Sequence, residues 1–263
     1  MTDDLSLDFE TVEAQCATRT SSAGSTNTTG SSGGSGGLSG WHGRRAHGFG
    51  ASDVPALLLA FGSAGYDNPP KYLADKARTT NRTFGLPRLI AEKAGLIDPK
   101  EVGQAAARGT ARERELLDQW RELLEHRQFY CDEEMLIVPE TICHASDVPQ
   151  EWFPLVDREC PSLTCTPDAW CRDVVGRLVG VELKCSASER RELPRWWWHQ
   201  KQAQFCPTAE SWGLVVCGEK WSAWHGDDGP VRSWPVQRDE SAIAIIRDAC
   251  VRGWKLVEEN RCR

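Results

Sequence analysis

The chain has 263 residues, enough for one large domain with a complete hydrophobic core. Its formal net charge of −7, from 31 Lys and Arg against 38 Asp and Glu, excludes attraction of nucleic acid by an overall positive field. There are 11 cysteines but no apolar signal segment at the start and no C-x-x-C pair, so we expect free buried thiols in a reducing compartment, not a disulfide scaffold or metal cluster.

The first part of the chain has the composition of a disordered tail. Residues 20–40 read TSSAGSTNTTGSSGGSGGLSG, and such a segment cannot bury enough apolar surface to offset the entropy of ordering. We therefore predict a disordered Gly/Ser/Thr-rich tail over residues 1–40 and a folded domain over residues 41–263. The tail either tethers a partner or has no role of its own.

The first predicted elements of the folded domain are helices. Ser52–Phe61 reads SDVPALLLAF, in which a capping serine and an acidic first turn precede an apolar run. After a break at residues 68–70, Lys71–Ala77 resumes a helical pattern, and residues 79–88 are predicted to be a loop. A long helix is predicted over Ala105–His126. Its apolar residues recur at helical spacing: Leu116, Leu117, Trp120 and Leu124.

Glu113 occupies an informative position in this long helix. It precedes Leu116 and Leu117 by three and four residues and therefore shares their inward face. From there a carboxylate near a helix start can reach a metal centre. The alternative is an ordinary acidic residue of the first turn, favoured by the helix dipole.

Strands are predicted at Met135–Pro139, Leu163–Trp170, Arg177–Lys184 and Gly213–Cys217. The second and third of these are predicted to be neighbours, joined by a turn at Arg172–Arg177. This pairing brings the carboxylates of the two strands together.

Those carboxylates belong to Asp168, which follows a proline in a turn, and Glu182. Because side chains alternate along a strand, Glu182 and Lys184 lie on one face. Two carboxylates beside one ammonium group are costly to bury unless a cation neutralises them, and carboxylate oxygens suit Mg²⁺. The alternative is a turn cap at Asp168 and a solvated strand face with a simple ion pair.

The last predicted helices run over Trp196–Cys206 and Asp239–Glu259. In the first of these, Gln200 and Gln204 share one face and Gln202 points nearly opposite. Three adjacent tryptophans precede the glutamines, and at least one is predicted to be exposed, where it can stack on a base. A local basic patch surrounds them, and we predict DNA contacts at Arg190, Arg191, Arg195, Trp197 and Lys201.

Four stretches together carry a family resemblance. They are the R-x(6)-S segment Arg45–Ser52, the G-x-x-x-E helix start Gly109–Glu113, Pro167-Asp168 followed by Glu182-Leu183-Lys184, and the Q-x-Q-x-Q segment that ends at Phe205. The third is the core motif of the PD-(D/E)XK nuclease superfamily. All four occur in the order found in the YqaJ-type viral recombinase and lambda exonuclease family, which the chain resembles over about residues 41 to 225.

The resemblance implies a fold and a metal site. The expected fold is α/β (α+β), a restriction-endonuclease-like core with a central mixed sheet flanked by helices. The expected cofactor is Mg²⁺ or Mn²⁺. Asp168, Glu182 and the backbone carbonyl of Leu183 are its implied ligands, and Glu113 completes the acidic cluster. Any further acidic ligand upstream of the motif is left open between Glu140, Asp147 and Asp157.

The resemblance also implies roles around the metal. Lys184 and Gln202 are expected to position the attacking water, with Gln202 chosen over Gln200 by its match to the family pattern. Arg45 and Ser52 are expected to bind a terminal 5′-phosphate, which suits an Arg fork and a hydroxyl at a helix start.

The implied activity is exonucleolytic hydrolysis of DNA, 5′→3′ on duplex ends, in phage-type recombination or end processing. Implied partners are DNA and a single-strand annealing protein, and the implied assembly is a ring-shaped homo-oligomer. No membrane span is expected, and the location is expected to be cytoplasmic. Alternatives are an endonuclease or single-strand exonuclease of the same fold, and a non-catalytic DNA-binding module.

Overall fold

The computed structural model describes residues 48–63, 65, 86–98, 104–127, 137–149, 153–186, 190–208, 210–219 and 231–262. In the long helix, side chains are described from Arg112 to His126. The predicted tail, the predicted helix Lys71–Ala77 and the proposed phosphate ligand Arg45 lie outside the described residues.

The described strands form two sheets. They are β1 (Phe49–Gly50), β2 (Ile137–His144), β3 (Leu155–Val156), β4 (Leu163–Cys165), β5 (Ala169–Asp173), β6 (Leu178–Ser186), β7 (Trp212–Glu219) and β8 (Val231–Gln237). The larger sheet has the order β2-β5-β6-β7-β8, in which β6 and β7 are parallel and the other pairs antiparallel. The smaller sheet has the order β1-β4-β3. A mixed central sheet is therefore confirmed.

The described helices cover both faces of the larger sheet. They are α1 (Val54–Ala60), α2 (Leu86–Ala94), α3 (Gln104–Arg127), α4 (Arg195–Thr208) and α5 (Glu240–Arg261), with a 3-10 turn at Ala145–Asp147. None of them is long and apolar enough to cross a bilayer. The long helix and the two C-terminal helices lie within two residues of their predicted bounds.

Two apolar clusters lie on opposite sides of the central sheet, and β6 shows why. Its odd-numbered residues Val179, Val181 and Leu183 point to one face and pack with Leu116 and Trp120 of α3. On the other side of the sheet, α1, α2, α4 and α5 contribute to a second cluster, together with residues of β7 and β8. The even-numbered residues of β6, which include Glu182 and Lys184, face away from α3 and toward α4.

The predicted strand Leu163–Trp170 is wrong as a single element. Its first part forms β4 in the small sheet and its last part begins β5 in the large sheet. Pro167 lies between them and has no N–H to donate to a ladder, so the chain changes sheets there. The change of sheet leaves Asp168 immediately before β5.

The sequence patterns do not predict the two-residue strands β1 and β3 or the 3-10 turn, and they also miss one helix and one longer strand. Helix α2 begins at Leu86, inside a segment predicted to be a loop. Strand β8 contains Pro235, which argues against a strand in the interior of a sheet. Because β8 is an edge strand that pairs only with β7 in the described sheet, it tolerates the missing donor.

The prediction of free thiols holds for most described cysteines and fails at one. Cys143 on β2 is disulfide-bonded. The other described cysteines form no disulfide: Cys160, Cys165, Cys171, Cys185, Cys206, Cys217, Cys250 and Cys262. Sequence spacing does not show which thiols the fold brings close together, and this is why the exception at Cys143 was not foreseen.

Candidate active site

Asp168 and Glu182 meet where β5 begins beside β6. The register pairs Ala169 with Val181, so the residue before β5 lies next to Glu182. The backbone N–H of Leu183 donates to Asp168 Oδ2 at 2.7 Å. The predicted proximity of the two carboxylates is therefore confirmed.

The backbone of Leu183 faces the same place. In a β-strand the N–H and C=O of one residue point to the same edge. Because the Leu183 N–H reaches Asp168, its carbonyl oxygen is also directed to the edge of β6 where Asp168 lies. The Leu183 carbonyl of β6 and the Asp168 carboxylate, just before β5, are thus directed to the same place.

Glu182 is held by three side-chain donors. Its Oε1 accepts hydrogen bonds from Lys184 Nζ and Gln200 Nε2, and its Oε2 accepts one from Gln204 Nε2. The Glu182 residue is only 3% exposed. These contacts fix the orientation of a nearly buried carboxylate, as expected for a ligand that must not reorganise during a reaction.

The electrostatics of the site are dominated by negative charge. Burial, the Glu182 carboxylate and, to a smaller extent, Glu113 raise the pKa of Asp168 well above its ordinary value, and Lys184 opposes them. Although burial disfavours its charge, the carboxylates of Glu182 and Asp168 hold the pKa of Lys184 above its ordinary value. One ammonium group therefore faces several carboxylates, and a bound cation would relieve their repulsion.

The donor set fits Mg²⁺ or Mn²⁺. Within the described ranges, no three histidine, cysteine or carboxylate side chains come together as a complete metal-binding group. Mg²⁺ does not require one, because it keeps several waters and is usually held by one or two carboxylates. Asp168, Glu182 and the Leu183 carbonyl supply that kind of set.

Glu113 lies near this cluster from the opposite side of the sheet. It is half-buried on α3. Its charge contributes to the raised pKa values of Asp168, Lys184 and Cys185, so it is part of the same electrostatic environment. The inward face predicted for Glu113 agrees with this placement.

Gln202 is not brought to the site. Its Nε2 donates to the Gln237 carbonyl at 2.6 Å, and its Oε1 accepts from the Asp239 N–H at 2.9 Å. The selection of Gln202 over Gln200 is therefore corrected. The helix presents Gln200 and Gln204 to Glu182, and the signal was their spacing of four residues, which puts both on one face.

The predicted DNA contact at Lys201 is wrong. Its side chain is fully buried and lies 3.9 Å from Glu210 Oε2. Trp197 is also a core residue, packed in the cluster on the α4 side of the sheet. Adjacent helical residues point about 100° apart, so a basic stretch in sequence does not remain one surface patch.

The arginines of the predicted basic patch remain at the surface. Arg191 and Arg195 are exposed, whereas Arg190 is half-buried and donates from Nε to Ser186 Oγ at 3.2 Å. Arg190 also lies over the Trp197 ring, 5.8 Å from its centroid. These three residues lie between Lys184 and Gln200 in the chain, in the connection from β6 to the first residue of α4.

The remaining predicted residues lie outside β5, β6 and α4. Ser52 is exposed and immediately precedes Asp53, the N-cap of α1. Of the three candidates for a further acidic ligand, Asp157 is buried against Arg247 at 2.7 Å, Asp147 lies 2.6 Å from Arg114, and Glu140 is exposed on β2. These placements favour none of the three as a metal ligand.

Comparison with known proteins agrees at the level of fold. No protein-family model matches the chain, and no curated protein matches it. Among solved structures, the alkaline exonuclease LHK-Exo from Laribacter hongkongensis aligns with a TM-score of 0.53 and 16% identity, covering 85% of this chain and 94% of that one. LHK-Exo in complex with dAMP aligns with a TM-score of 0.54 at the same identity and coverage.

The chain has the fold of these exonucleases. A phage related exonuclease from Haemophilus somnus 129PT aligns less closely, with a TM-score of 0.49 and 13% identity over 81% of this chain and 94% of that one. The alignments with LHK-Exo confirm the nuclease-type fold predicted from the four sequence stretches.

Proposed function

We propose that this chain is a divalent-metal-dependent deoxyribonuclease that degrades DNA from its ends. The observation that carries the proposal is the convergence of Asp168, Glu182 and Lys184 at the junction of β5 and β6. The exonuclease names of proteins with the same fold support it. Asp168, Glu182 and the Leu183 carbonyl would hold Mg²⁺ or Mn²⁺.

The chain's own groups have distinct tasks in this reaction. Lys184 donates to the water or phosphate oxygen on which charge develops, while Glu182 holds the ammonium in place. Gln200 and Gln204 restrain Glu182, so the carboxylate does not rotate when substrate arrives. When bound, a divalent cation supplies positive charge that stabilises the transition state at phosphorus.

The substrate would approach from the side of Arg190, Arg191 and Arg195. A net charge of −7 makes such a local cationic surface necessary for contact with the DNA backbone. At the 5′ end we assign the terminal phosphate to Arg45 and Ser52, as the family resemblance implies. The same resemblance supports 5′→3′ digestion by a ring-shaped oligomer that works with an annealing protein.

Digestion of labelled DNA tests the proposal. Linear duplexes carrying a label at either end, with and without a 5′-phosphate, are incubated with the protein in Mg²⁺, in Mn²⁺ and in excess chelator. We expect mononucleotide release that requires the metal, proceeds from the 5′ end, and is faster on phosphorylated ends.

A covalently closed circular duplex and a single strand are the matched controls. Cleavage of the circle would identify an endonuclease, and digestion of the single strand alone would identify a single-strand exonuclease. Binding of duplex without product in any metal would identify a non-catalytic module and contradict the proposal.

A further inference from the structure

A second lysine–glutamate pair lies behind the candidate active site. Lys201 of α4 and Glu210, which precedes β7, have side chains that are 0% and 3% exposed, and Lys201 Nζ lies 3.9 Å from Glu210 Oε2. Burying such a pair is costly, and a well-packed apolar pair of similar volume is often at least as stable. Stability alone therefore does not account for the ammonium group at this position.

Two glycines of the sheet provide the space that this pair occupies. Gly180 of β6 and Gly213 of β7 are cross-strand partners. A Cβ at Gly180 would lie 2.6 Å from Glu210 Oε2, and a Cβ at Gly213 would lie 2.2 Å from Lys201 Cε. Glycine weakens a strand interior, so paired glycines here mark a close approach that the fold accommodates.

The ammonium group makes a hydrogen bond in the direction of the active site. Lys201 Nζ donates to Gln204 Oε1 at 3.1 Å, and Gln204 Nε2 donates to Glu182 Oε2. Because the amide oxygen is engaged by Lys201, the amide NH₂ is turned toward Glu182. A rotated amide would place its oxygen against the carboxylate, and the two acceptors would repel each other.

We propose that Lys201 and Glu210 are positioning residues that fix the orientation of the Gln204 amide and, through it, the metal-binding carboxylate of Glu182. This inference rests on the proposed function, in which Glu182 is a metal ligand. Glu210 lies beside Lys201, Lys201 orients Gln204, and Gln204 holds Glu182. Groups that orient metal ligands in this way typically change metal affinity or activity by about 10–100-fold when removed.

The test measures Mn²⁺ binding by titration calorimetry on the full chain. The variant Lys201→Met/Glu210→Met removes both charges and keeps two unbranched side chains in the slot made by the glycines. We expect its Kd for Mn²⁺ to rise by about 10-fold, with unchanged circular dichroism. Gln204→Ala should raise the Kd by a similar factor.

Non-additivity separates positioning from a structural role. When Lys201→Met/Glu210→Met is added to Gln204→Ala, we expect no further rise in the Kd, because the pair acts only through Gln204. A pair that merely stabilised the fold would give independent effects that multiply. If the double Met variant does not fold, Gln204→Ala with Glu210→Gln provides the same cycle.

The matched control is the ion pair of Arg247 on α5 and Asp157, which follows β3; the guanidinium and carboxylate lie 2.7 Å apart. Arg247→Met/Asp157→Leu should leave the Mn²⁺ Kd within twofold of wild type. A double Met variant that binds Mn²⁺ as tightly as wild type, or effects that multiply with Gln204→Ala, would overturn the positioning role alone. Two results would overturn the metal site and this inference together. One is a wild-type protein that binds no Mn²⁺, and the other is a Glu182→Gln variant that binds Mn²⁺ as tightly as wild type.

Discussion

Two lysine–glutamate pairs lie at the same face of β6, and their surroundings differ. Lys184 and Glu182 belong to the strand itself, whereas Lys201 and Glu210 pack over it from outside. Lys184 is bonded to Glu182, and its side chain is 19% exposed. Lys201 lies near Glu210 at the other end of the strand face, over Gly180, and its side chain is 0% exposed. The two ammonium groups have the same chemistry, but only Lys184 can meet a substrate.

The comparison shows that one strand face has a partly exposed end and a fully covered end. At Glu182 and Lys184 the strand approaches its end, and the Lys184 side chain remains partly exposed. At Gly180 the helix covers the strand, and the polar groups there can contact only protein. Glu182 accepts one hydrogen bond directly from Lys184 and another from Gln204, which in turn accepts a hydrogen bond from Lys201.

Replacing Lys184 should have the largest effect on catalysis. Lys184→Ala is expected to lower turnover on linear duplex by about 10²-fold or more, because it removes a donor to developing charge at a desolvated site. Its thermal unfolding should remain close to that of wild type. Lys255→Ala on the exposed face of α5 is the control. A Lys184→Ala protein with near-wild-type turnover would exclude the proposed site.

Replacing Lys201 alone should instead act on stability. Lys201→Met leaves the Glu210 carboxylate buried without its cation, which is expected to cost about 3–5 kcal/mol in the free energy of unfolding. Adding Glu210→Met should recover most of the loss. Urea unfolding followed by tryptophan fluorescence measures both. Equal stability of the single variant and wild type would show that Lys201 is not a buried charge in solution.

The glutamines of α4 extend the contrast to neighbouring residues. Gln200→Ala removes a donor to Glu182 and is expected to lower turnover about 10-fold with little change in stability. Gln202→Ala leaves the Gln237 carbonyl and the Asp239 N–H without this partner, at a cost of about 1–3 kcal/mol. Steady-state kinetics and urea unfolding of the two variants should therefore give opposite rankings.

The smallest expected effect is a pH dependence of the free energy of unfolding, caused by the buried His199 of α4. Burial, with a contribution from Arg195, lowers the pKa of His199 to about 4. Between that value and the ordinary pKa of 6.5 the unfolded chain binds more protons than the folded one, so stability rises with pH in this window. We expect a loss of about 1–2 kcal/mol from pH 7 to pH 5.

The variant His199→Gln should abolish that part of the pH dependence. Denaturant unfolding at the two pH values measures it directly. An unchanged slope in His199→Gln would show that other groups govern stability in this range.

Much of the active-site strand follows from the sequence alone. Strand periodicity puts Glu182 and Lys184 on one face, and the neighbouring strand with Pro167 before it places Asp168 beside them. The long helix with Glu113 on its inward side follows from apolar spacing. These inferences succeed because each depends on the repeat of one element or on two elements adjacent in the chain.

The helix α4 marks what only the tertiary structure decided. Polar and apolar residues are spread around the whole helix, and no single apolar stripe marks one side. Periodicity therefore does not reveal which face of α4 the sheet covers. Two glycines on different strands admit Lys201, and the start of α5 engages Gln202. Whether a lysine contacts DNA or supports a metal ligand therefore depended on groups distant in sequence, since burial is a property of the packed elements and not of the residue itself.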